Sequence, residues 1–169
     1  SGIGDPQVRN CGTIGGSIVN NDPAADYPAA IVALDAKIHT TARTLAAEDF
    51  FTGMFETALD AGELVTKVSF TAPKRAAYMK FRNPASRYAI VGVMVAETSS
   101  GIRVAVTGAG PCVFRIPAME QALTKSFTPD AVKGIAVPPG DLNGDLHATP
   151  EYRAHLIGVM AARAVAQIS

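Results

Sequence analysis

The chain has 169 residues, of which 48% are hydrophobic and 18% are charged, as expected for one ordinary or two small folded domains. Its fifteen Lys and Arg residues balance fifteen Asp and Glu residues, so no overall field attracts nucleic acid or an anionic membrane. No apolar run approaches the roughly 20 residues of a transmembrane helix, so the sequence predicts no membrane span.

The first part of the chain mixes turn-forming and regular segments. Residues 12–23 are rich in Gly, Asn and Asp, which favours turns and exposed backbone. Asp26 is placed to cap a short helix that carries Pro28 in its first turn. Patterns typical of strands follow at residues 37–41 and 63–70, with a short helical turn at 48–51 between them.

Residues 71–74 interrupt this pattern with a proline, and we predict a subdomain boundary there, near residue 72. Three strand patterns follow, at 77–81, 89–98 and 102–107, and a hairpin connection joins the last two. Helical patterns come next at 116–123, 130–135 and 152–168, the last of them after Thr149 as cap, Pro150 and Glu151. This order predicts an α+β fold with helices on one face of a three-stranded antiparallel sheet.

The two cysteines, Cys11 and Cys112, lie far apart, and neither belongs to a CxxC or Cys/His cluster. The sequence therefore predicts no metal site built by this chain alone. A disulfide between them stays open, but two reduced thiols in a cytoplasmic protein are favoured.

Residues 13–17, Thr-Ile-Gly-Gly-Ser, form the segment best suited to hold a ligand. Adjacent glycines let a ligand approach the backbone, and successive exposed N–H groups can hold a phosphate or another anion. Thr13, Ser17 and Asn20 add polar groups, and the carboxylate of Asp26 can accept hydrogen bonds from a diol. A purely structural turn is the alternative and the commoner role of two glycines. The spacing matches neither a GxGxxG turn nor a P-loop, so no NAD or nucleoside triphosphate site is predicted.

Three separated segments carry a family resemblance: residues 4–17 with 22–26, residues 80–89, and residues 143–153. In this order, along the whole chain, they closely resemble the FAD-binding (medium) subunit of molybdenum hydroxylases of the carbon monoxide dehydrogenase and xanthine dehydrogenase family. The resemblance implies that residues 1–72 are the second half of an FAD-binding (PCMH-like) domain. It also implies that residues 73–169 form a CO dehydrogenase flavoprotein C-terminal-like domain.

The resemblance further implies a set of FAD contacts. In the family, the TIGGS-like segment contacts FAD, a carboxylate matching Asp26 holds ribityl or ribose hydroxyls, and a lysine matching Lys80 approaches the isoalloxazine edge. An aromatic residue beside the flavin ring is expected at Tyr88, with Tyr78 as the other option. The complete set of expected cofactor-binding residues is Thr13, Ile14, Gly15, Gly16, Ser17, Asn20, Asp26, Val65, Lys80 and Tyr88.

Two positions depart from the family pattern. Cys11 stands where a basic residue is usual, and Asn20-Asn21 replaces a small residue followed by histidine. In addition, the Gly-rich segment with which the family holds the FAD pyrophosphate does not occur in these 169 residues. We therefore expect the chain to be the later portion of its subunit and to hold FAD poorly by itself.

The function that the resemblance implies is electron transfer within a cytoplasmic oxidoreductase. Substrate is oxidised at a molybdopterin centre on a large molybdenum-pterin subunit. Electrons then pass through 2Fe-2S clusters on a small iron-sulfur subunit to FAD and on to an external acceptor. FAD carries the redox chemistry, so no catalytic acid, base or nucleophile is expected in this chain. The alternative is a non-catalytic assembly module that docks the other subunits without binding flavin.

Overall fold

The computed structural model describes residues 2–169, and the fold is a mixture of helices and antiparallel sheets. The first part of the chain contains α1 (Pro6–Cys11), α2 (Ile14–Asn20), α3 (Tyr27–Ala33), β1 (Lys37–Thr40), β2 (Thr44–Ala46), α4 (Ala47–Phe50), β3 (Phe51–Gly53), β4 (Glu56–Thr57) and β5 (Val65–Ser69). The second part contains β6 (Arg75–Arg82), β7 (Ala89–Thr98), β8 (Gly101–Thr107), β9 (Phe114–Arg115), α5 (Pro117–Lys125), α6 (Pro129–Val132) and α7 (Pro150–Ile168).

The described strands form three antiparallel sheets, in the orders β2-β1-β5, β3-β4 and β6-β7-β8-β9. The three strands predicted after residue 74 are all present as β6, β7 and β8. The two-residue strand β9 extends this sheet to four strands and was not predicted, because two residues carry no detectable periodicity. The α+β prediction is confirmed.

The central strand β7 of the four-stranded sheet is buried on both faces. Val91, Val93 and Val95 of β7 point to one face, where they join the core formed with α5 and α7. Met94 and Ala96 alternate with them and pack on the other face, against α3. Helices therefore cover both faces rather than the single face that was predicted, because the buried side of α3 is also apolar.

Residues 13–17 begin a helix instead of forming the predicted turn. Thr13 is the N-cap of α2, and its Oγ1 accepts a hydrogen bond of 2.9 Å from the Gly16 amide. Ile18 is fully buried, and Asn21 ends the helix in the left-handed conformation, at φ 45°. The cap and the packing of Ile18 outweigh the low helix propensity of two glycines, about 1 kcal/mol each.

The last helix follows its sequence signals closely. Thr149 is the N-cap of α7, its Oγ1 accepts a hydrogen bond from the Tyr152 amide, and Pro150 is the first helical residue. Arg153 is buried on this helix and donates to the carbonyl oxygens of Ile90 and Gly108 at 2.5 and 2.9 Å. These bonds tie α7 to the ends of β7 and β8.

Candidate functional site

A cavity of about 500 Å³ opens beside the start of α2. Its lining includes six of the ten residues predicted to contact a cofactor: Thr13, Gly16, Ser17, Asn20, Asp26 and Tyr88. They come from α2, from the start of α3 and from the connection between β6 and β7. Cavities of this size, with a few convergent polar groups, are typical of small-molecule sites.

The first turn of α2 contributes backbone to this cavity. The early amides of a helix have no acceptor within the helix, and here Thr13 Oγ1 accepts from only one of them, that of Gly16. A Cβ at Gly15 would meet nothing within 4 Å, whereas a Cβ at Gly16 would lie 3.0 Å from Thr13 Oγ1. The absence of a side chain at Gly16 therefore keeps this wall of the cavity open and leaves room for Thr13 to cap α2.

The end of β8 fixes the segment that leads into Asp26. The Gly108 amide donates to the Pro23 carbonyl at 2.7 Å, and Thr107 Oγ1 lies 2.9 and 2.6 Å from the carbonyl oxygens of Pro23 and Ala25. Gly108 has φ +82°, and a Cβ there would lie 2.6 Å from the Ala89 carbonyl. Only glycine fits this close approach of strand and loop.

Asp26 occupies the N-cap position of α3, as predicted, but its side chain caps nothing. Its carboxylate instead accepts hydrogen bonds from Lys80 Nζ, at 3.0 Å to Oδ1 and 2.8 Å to Oδ2. The Tyr78 hydroxyl also donates to Oδ1. The side chains of Asp26 and Lys80 are only 9% and 6% exposed, so this is a buried, hydrogen-bonded ion pair.

Burial and the adjacent Asp26 carboxylate raise the pKa of the Tyr78 hydroxyl far above its usual range. Both effects disfavour the phenolate, so Tyr78 remains a hydrogen-bond donor at any ordinary pH. Tyr78 and Lys80 also line a second cavity, of about 380 Å³, which shares Ile3, Asp26 and Tyr27 with the first. Asp26 therefore lies where the two cavities meet.

The remaining predicted residues lie outside the lining of the first cavity. Ile14 and Gly15 are on the same helix turn but do not line it, and Lys80 belongs to the second cavity. Val65 lies on β5, half-buried against the core that contains Ile18. Tyr88, the preferred aromatic candidate, lines the first cavity, and Tyr78, the other option, lines the second.

The residues that line the first cavity but were not predicted to contact a cofactor include Arg9, Asp22 and Tyr27. Arg9 supplies a cation and is held by the carbonyl oxygens of Ile3 and Gly4, at 2.7 and 2.9 Å. The available signal was position, since Arg9 lies within the motif 4–17, Asp22 is the first residue of the motif 22–26 and Tyr27 directly follows it.

The two departures from the family pattern have different consequences. Cys11 lines the first cavity and, like Cys112, is a free thiol, as predicted. Asn21 is buried, and its Nδ2 donates to the carbonyl oxygens of Gly53 and Glu56 at 2.8 and 2.7 Å. Asn is also well suited to the left-handed conformation at the end of α2, so Asn21 serves the fold.

Comparison with known proteins identifies the class to which this arrangement belongs. Residues 1–73 match the family described as FAD binding domain in molybdopterin dehydrogenase. The glyceraldehyde dehydrogenase medium chain of Sulfolobus acidocaldarius is 34% identical, over 99% of this chain and 65% of the relative. The carbon monoxide dehydrogenase medium chain of Hydrogenophaga pseudoflava is 33% identical, over 96% of this chain and 62% of the relative.

Solved structures agree with these matches. Reconstituted CO dehydrogenase from Oligotropha carboxidovorans superposes with a TM-score of 0.86 and 29% identity, over 98% of this chain and 63% of that one. Residues 1–73 are an FAD-binding domain of the molybdopterin dehydrogenases, and the homologues along nearly the whole chain are medium subunits of that family. The chain spans less than two thirds of the length of these relatives.

Proposed function

We propose that this chain forms the FAD-carrying part of a medium subunit in a molybdenum-containing hydroxylase or dehydrogenase. The observation that carries the proposal is that six of the ten residues expected to contact FAD line one cavity. Five of them lie within residues 13–26, and the fold brings the sixth, Tyr88, to the same cavity from the connection between β6 and β7. The match of residues 1–73 to the FAD-binding family supports the same assignment.

The residues of the cavity fit the polar portions of FAD. Thr13 and Ser17 offer hydroxyls, Asn20 offers an amide, and Gly16 leaves the backbone accessible. Groups of this kind hydrogen-bond to phosphate and to sugar hydroxyls. At about 500 Å³ the cavity accommodates a part of FAD, so we propose that further contacts come from elsewhere in the intact subunit.

When bound, FAD supplies the redox chemistry, accepting electrons that come from 2Fe-2S clusters and passing them to an external acceptor. The chain's own residues bind and orient the cofactor. Thr13, Gly16, Ser17 and Asn20 hold the polar part of the cofactor, and Tyr88 forms an apolar wall beside it. The Asp26–Lys80 pair contributes no net charge to the site, so it limits electrostatic disturbance close to the cofactor.

The proposed partners are a large molybdenum-pterin subunit and a small iron-sulfur subunit. Two of the relatives support this assembly by their names, as medium chains of carbon monoxide dehydrogenases. Within residues 2–169, no helix is both long enough and apolar enough to cross a membrane. A cytoplasmic location of the complex remains part of the proposal.

Flavin content tests the proposal. The full-length subunit should carry FAD, measured by its visible absorption and by mass spectrometry of the released cofactor. Gly16→Val should abolish FAD retention, because the added side chain crowds Thr13 Oγ1 and fills the cavity wall. Gly140→Val is the matched control, since a Cβ at Gly140 meets nothing within 4 Å and the residue lies far along the chain.

If the full-length subunit and its reconstituted apoprotein both lack FAD, the redox role is wrong. The chain would then be a non-catalytic assembly module that docks the other subunits. Co-purification of the partner subunits with a flavin-free protein would identify that outcome directly.

A further inference from the structure

Asp26 is used differently from most aspartates at the start of a helix. An Asp at an N-cap normally accepts a hydrogen bond from an amide of the first turn. Asp26 makes no such bond, and its carboxylate lies against Tyr78 and Lys80 of β6. Asp26 therefore does not cap its helix, and its carboxylate lies between the two cavities, bonded to Tyr78 and Lys80.

The donors around the Asp26 carboxylate occupy most of its hydrogen-bond acceptor positions. An ionised carboxylate has about four acceptor positions. The Tyr78 hydroxyl and Lys80 Nζ both donate to Oδ1, and Lys80 Nζ donates to Oδ2 as well. One acceptor position therefore remains, on Oδ2, and it suits a single hydroxyl of a ligand rather than a diol.

The two donors constrain the carboxylate differently. Lys80 Nζ bridges both oxygens, at 3.0 and 2.8 Å. The Tyr78 hydroxyl bonds to Oδ1 alone, so a partial turn of the carboxylate about its Cβ–Cγ bond would break this hydrogen bond. Tyr78 thus adds to Lys80 a separate restraint on the rotation of the carboxylate.

The position of the Tyr78 hydroxyl is itself determined by packing. Gly92 lies on β7 beside β6, and a Cβ at that position would be 2.1 Å from Tyr78 Oη. The missing side chain at Gly92 therefore provides the space that the hydroxyl fills. Tyr78 is half-buried and packs against the core around Phe50, and this packing restrains its hydroxyl beside Asp26.

We propose that Tyr78 is a positioning residue, which orients the Asp26 carboxylate so that Oδ2 receives one hydroxyl of the bound cofactor. This inference rests on the proposed function, since it takes FAD as the ligand. Tyr78 would act through Asp26 and would make no direct contact with the reacting part of the flavin.

The test is the affinity of the full-length apoprotein for FAD, titrated by the quenching of flavin fluorescence. Tyr78→Phe should weaken affinity by about tenfold, the scale of one hydrogen bond to a charged group. Tyr152→Phe is the matched control, because Tyr152 is exposed on α7 and should stay within about twofold of wild type. A purely structural role would lower the melting temperature but leave the affinity of the folded protein unchanged.

A second variant keeps the test decisive. Replacing Tyr78 by p-aminophenylalanine retains a donor at the same place and should restore affinity to within about threefold of wild type. Equal affinities for Y78F and wild type would overturn the inference, as would weak binding by both variants at position 78. A Y78F protein that fails to fold beside a folded aminophenylalanine variant would show a structural role and would also overturn it. If the wild-type protein itself binds no FAD, the proposed function is wrong, and this inference, which depends on it, is wrong too.

Discussion

The Lys80 ammonium and the Asp26 carboxylate neutralise each other in a place that water barely reaches. Their side chains are 6% and 9% exposed, and they belong to β6 and to the start of α3. Removing one member of a buried pair leaves an uncompensated charge, which is far costlier than losing an exposed pair. The pair therefore joins the first half of the chain, at Asp26, to the second half, at Lys80, beside the candidate site.

We predict that Lys80→Met lowers the free energy of unfolding by about 3–5 kcal/mol, because the Asp26 carboxylate stays buried without its cation. Lys74→Met is the control: Lys74 bonds to Glu97 at 2.9 Å, but its side chain is 75% exposed. This exposed pair should contribute less than about 1 kcal/mol. Urea unfolding followed by circular dichroism measures both, and equal losses in the two variants would contradict the prediction.

Glu63 gives the chain a defined response to acid. The hydrogen bond from Arg43, followed by those from the Asp60 amide and the Thr40 hydroxyl, lowers the pKa of Glu63 from 4.5 to about 2. A pKa that is lower in the folded state stabilises the fold above the unfolded value, and this stabilisation is lost as pH falls through the folded value. The stabilisation should therefore be complete above pH 4.5 and disappear towards pH 2.

We predict that Glu63→Gln flattens the fall in stability between pH 4.5 and pH 2, since the variant has no proton to take up there. Thermal melts at a series of pH values measure this slope. Asp49→Asn, at an exposed position on α4, serves as the control and should keep the slope of wild type. An unchanged slope in Glu63→Gln would assign the acid response to other carboxylates.

At the scale of elements, two glycines in regular structure have opposite roles. A Cβ at Gly92 of β7 would lie 2.1 Å from Tyr78 Oη and 2.9 Å from Thr107 Cγ2. A Cβ at Gly158, inside α7, would meet nothing within 4 Å. Glycine is thus required by packing in the strand and is merely unfavourable in the helix.

We predict that Gly92→Ala destabilises the protein by about 1–3 kcal/mol through overpacking. Gly158→Ala should stabilise it by up to about 1 kcal/mol, through the higher helix propensity of alanine. Differential scanning calorimetry of the two single variants gives both signs in one experiment. A destabilised Gly158→Ala, or a neutral Gly92→Ala, would contradict the prediction for that position.

The predictability of each element depended on how local its causes are. Helix α7 was predicted correctly because Thr149, Pro150 and Glu151 precede a long apolar periodicity. Helix α2 was predicted as a turn because two adjacent glycines favour turns, while its stability comes from the cap at Thr13 and the buried Ile18. The second cause is a tertiary contact, which local sequence does not display.

The candidate site shows the same division. Its residues were predicted from a family resemblance, and the structure brings Thr13, Gly16 and Asp26 together with three others at one cavity. The partnership of Asp26 with Tyr78 and Lys80 could not be predicted, because these residues are more than fifty positions apart. Nothing in the local sequence indicates that the carboxylate turns away from its own helix.

At the scale of the whole molecule, the four-stranded sheet belongs to both halves of the chain. Its one face packs against α5 and α7, and its other face packs against α3 and the core around Phe50. Arg103 of β8 adds ion pairs to the first half, at 2.7 Å to Asp35 and 3.4 Å to Glu48. The boundary near residue 72 remains a prediction. Because both halves of the chain pack on this sheet, we expect them to stay associated if the chain is cut there.

We predict that cutting the chain at this boundary leaves the two pieces associated. A protease site inserted after Thr71, which is exposed, would allow cleavage of the folded full-length protein. The pieces should elute together in size-exclusion chromatography. Separation would expose the apolar face around Met94 and would leave the buried charges of Asp26 and Lys80 without their partners. Raising salt to about 0.5 M screens the exposed Arg103 partners but not apolar burial, so co-elution should persist. Separation in native buffer would instead show two independent units, whereas separation at high salt alone would show that exposed ion pairs dominate the contact.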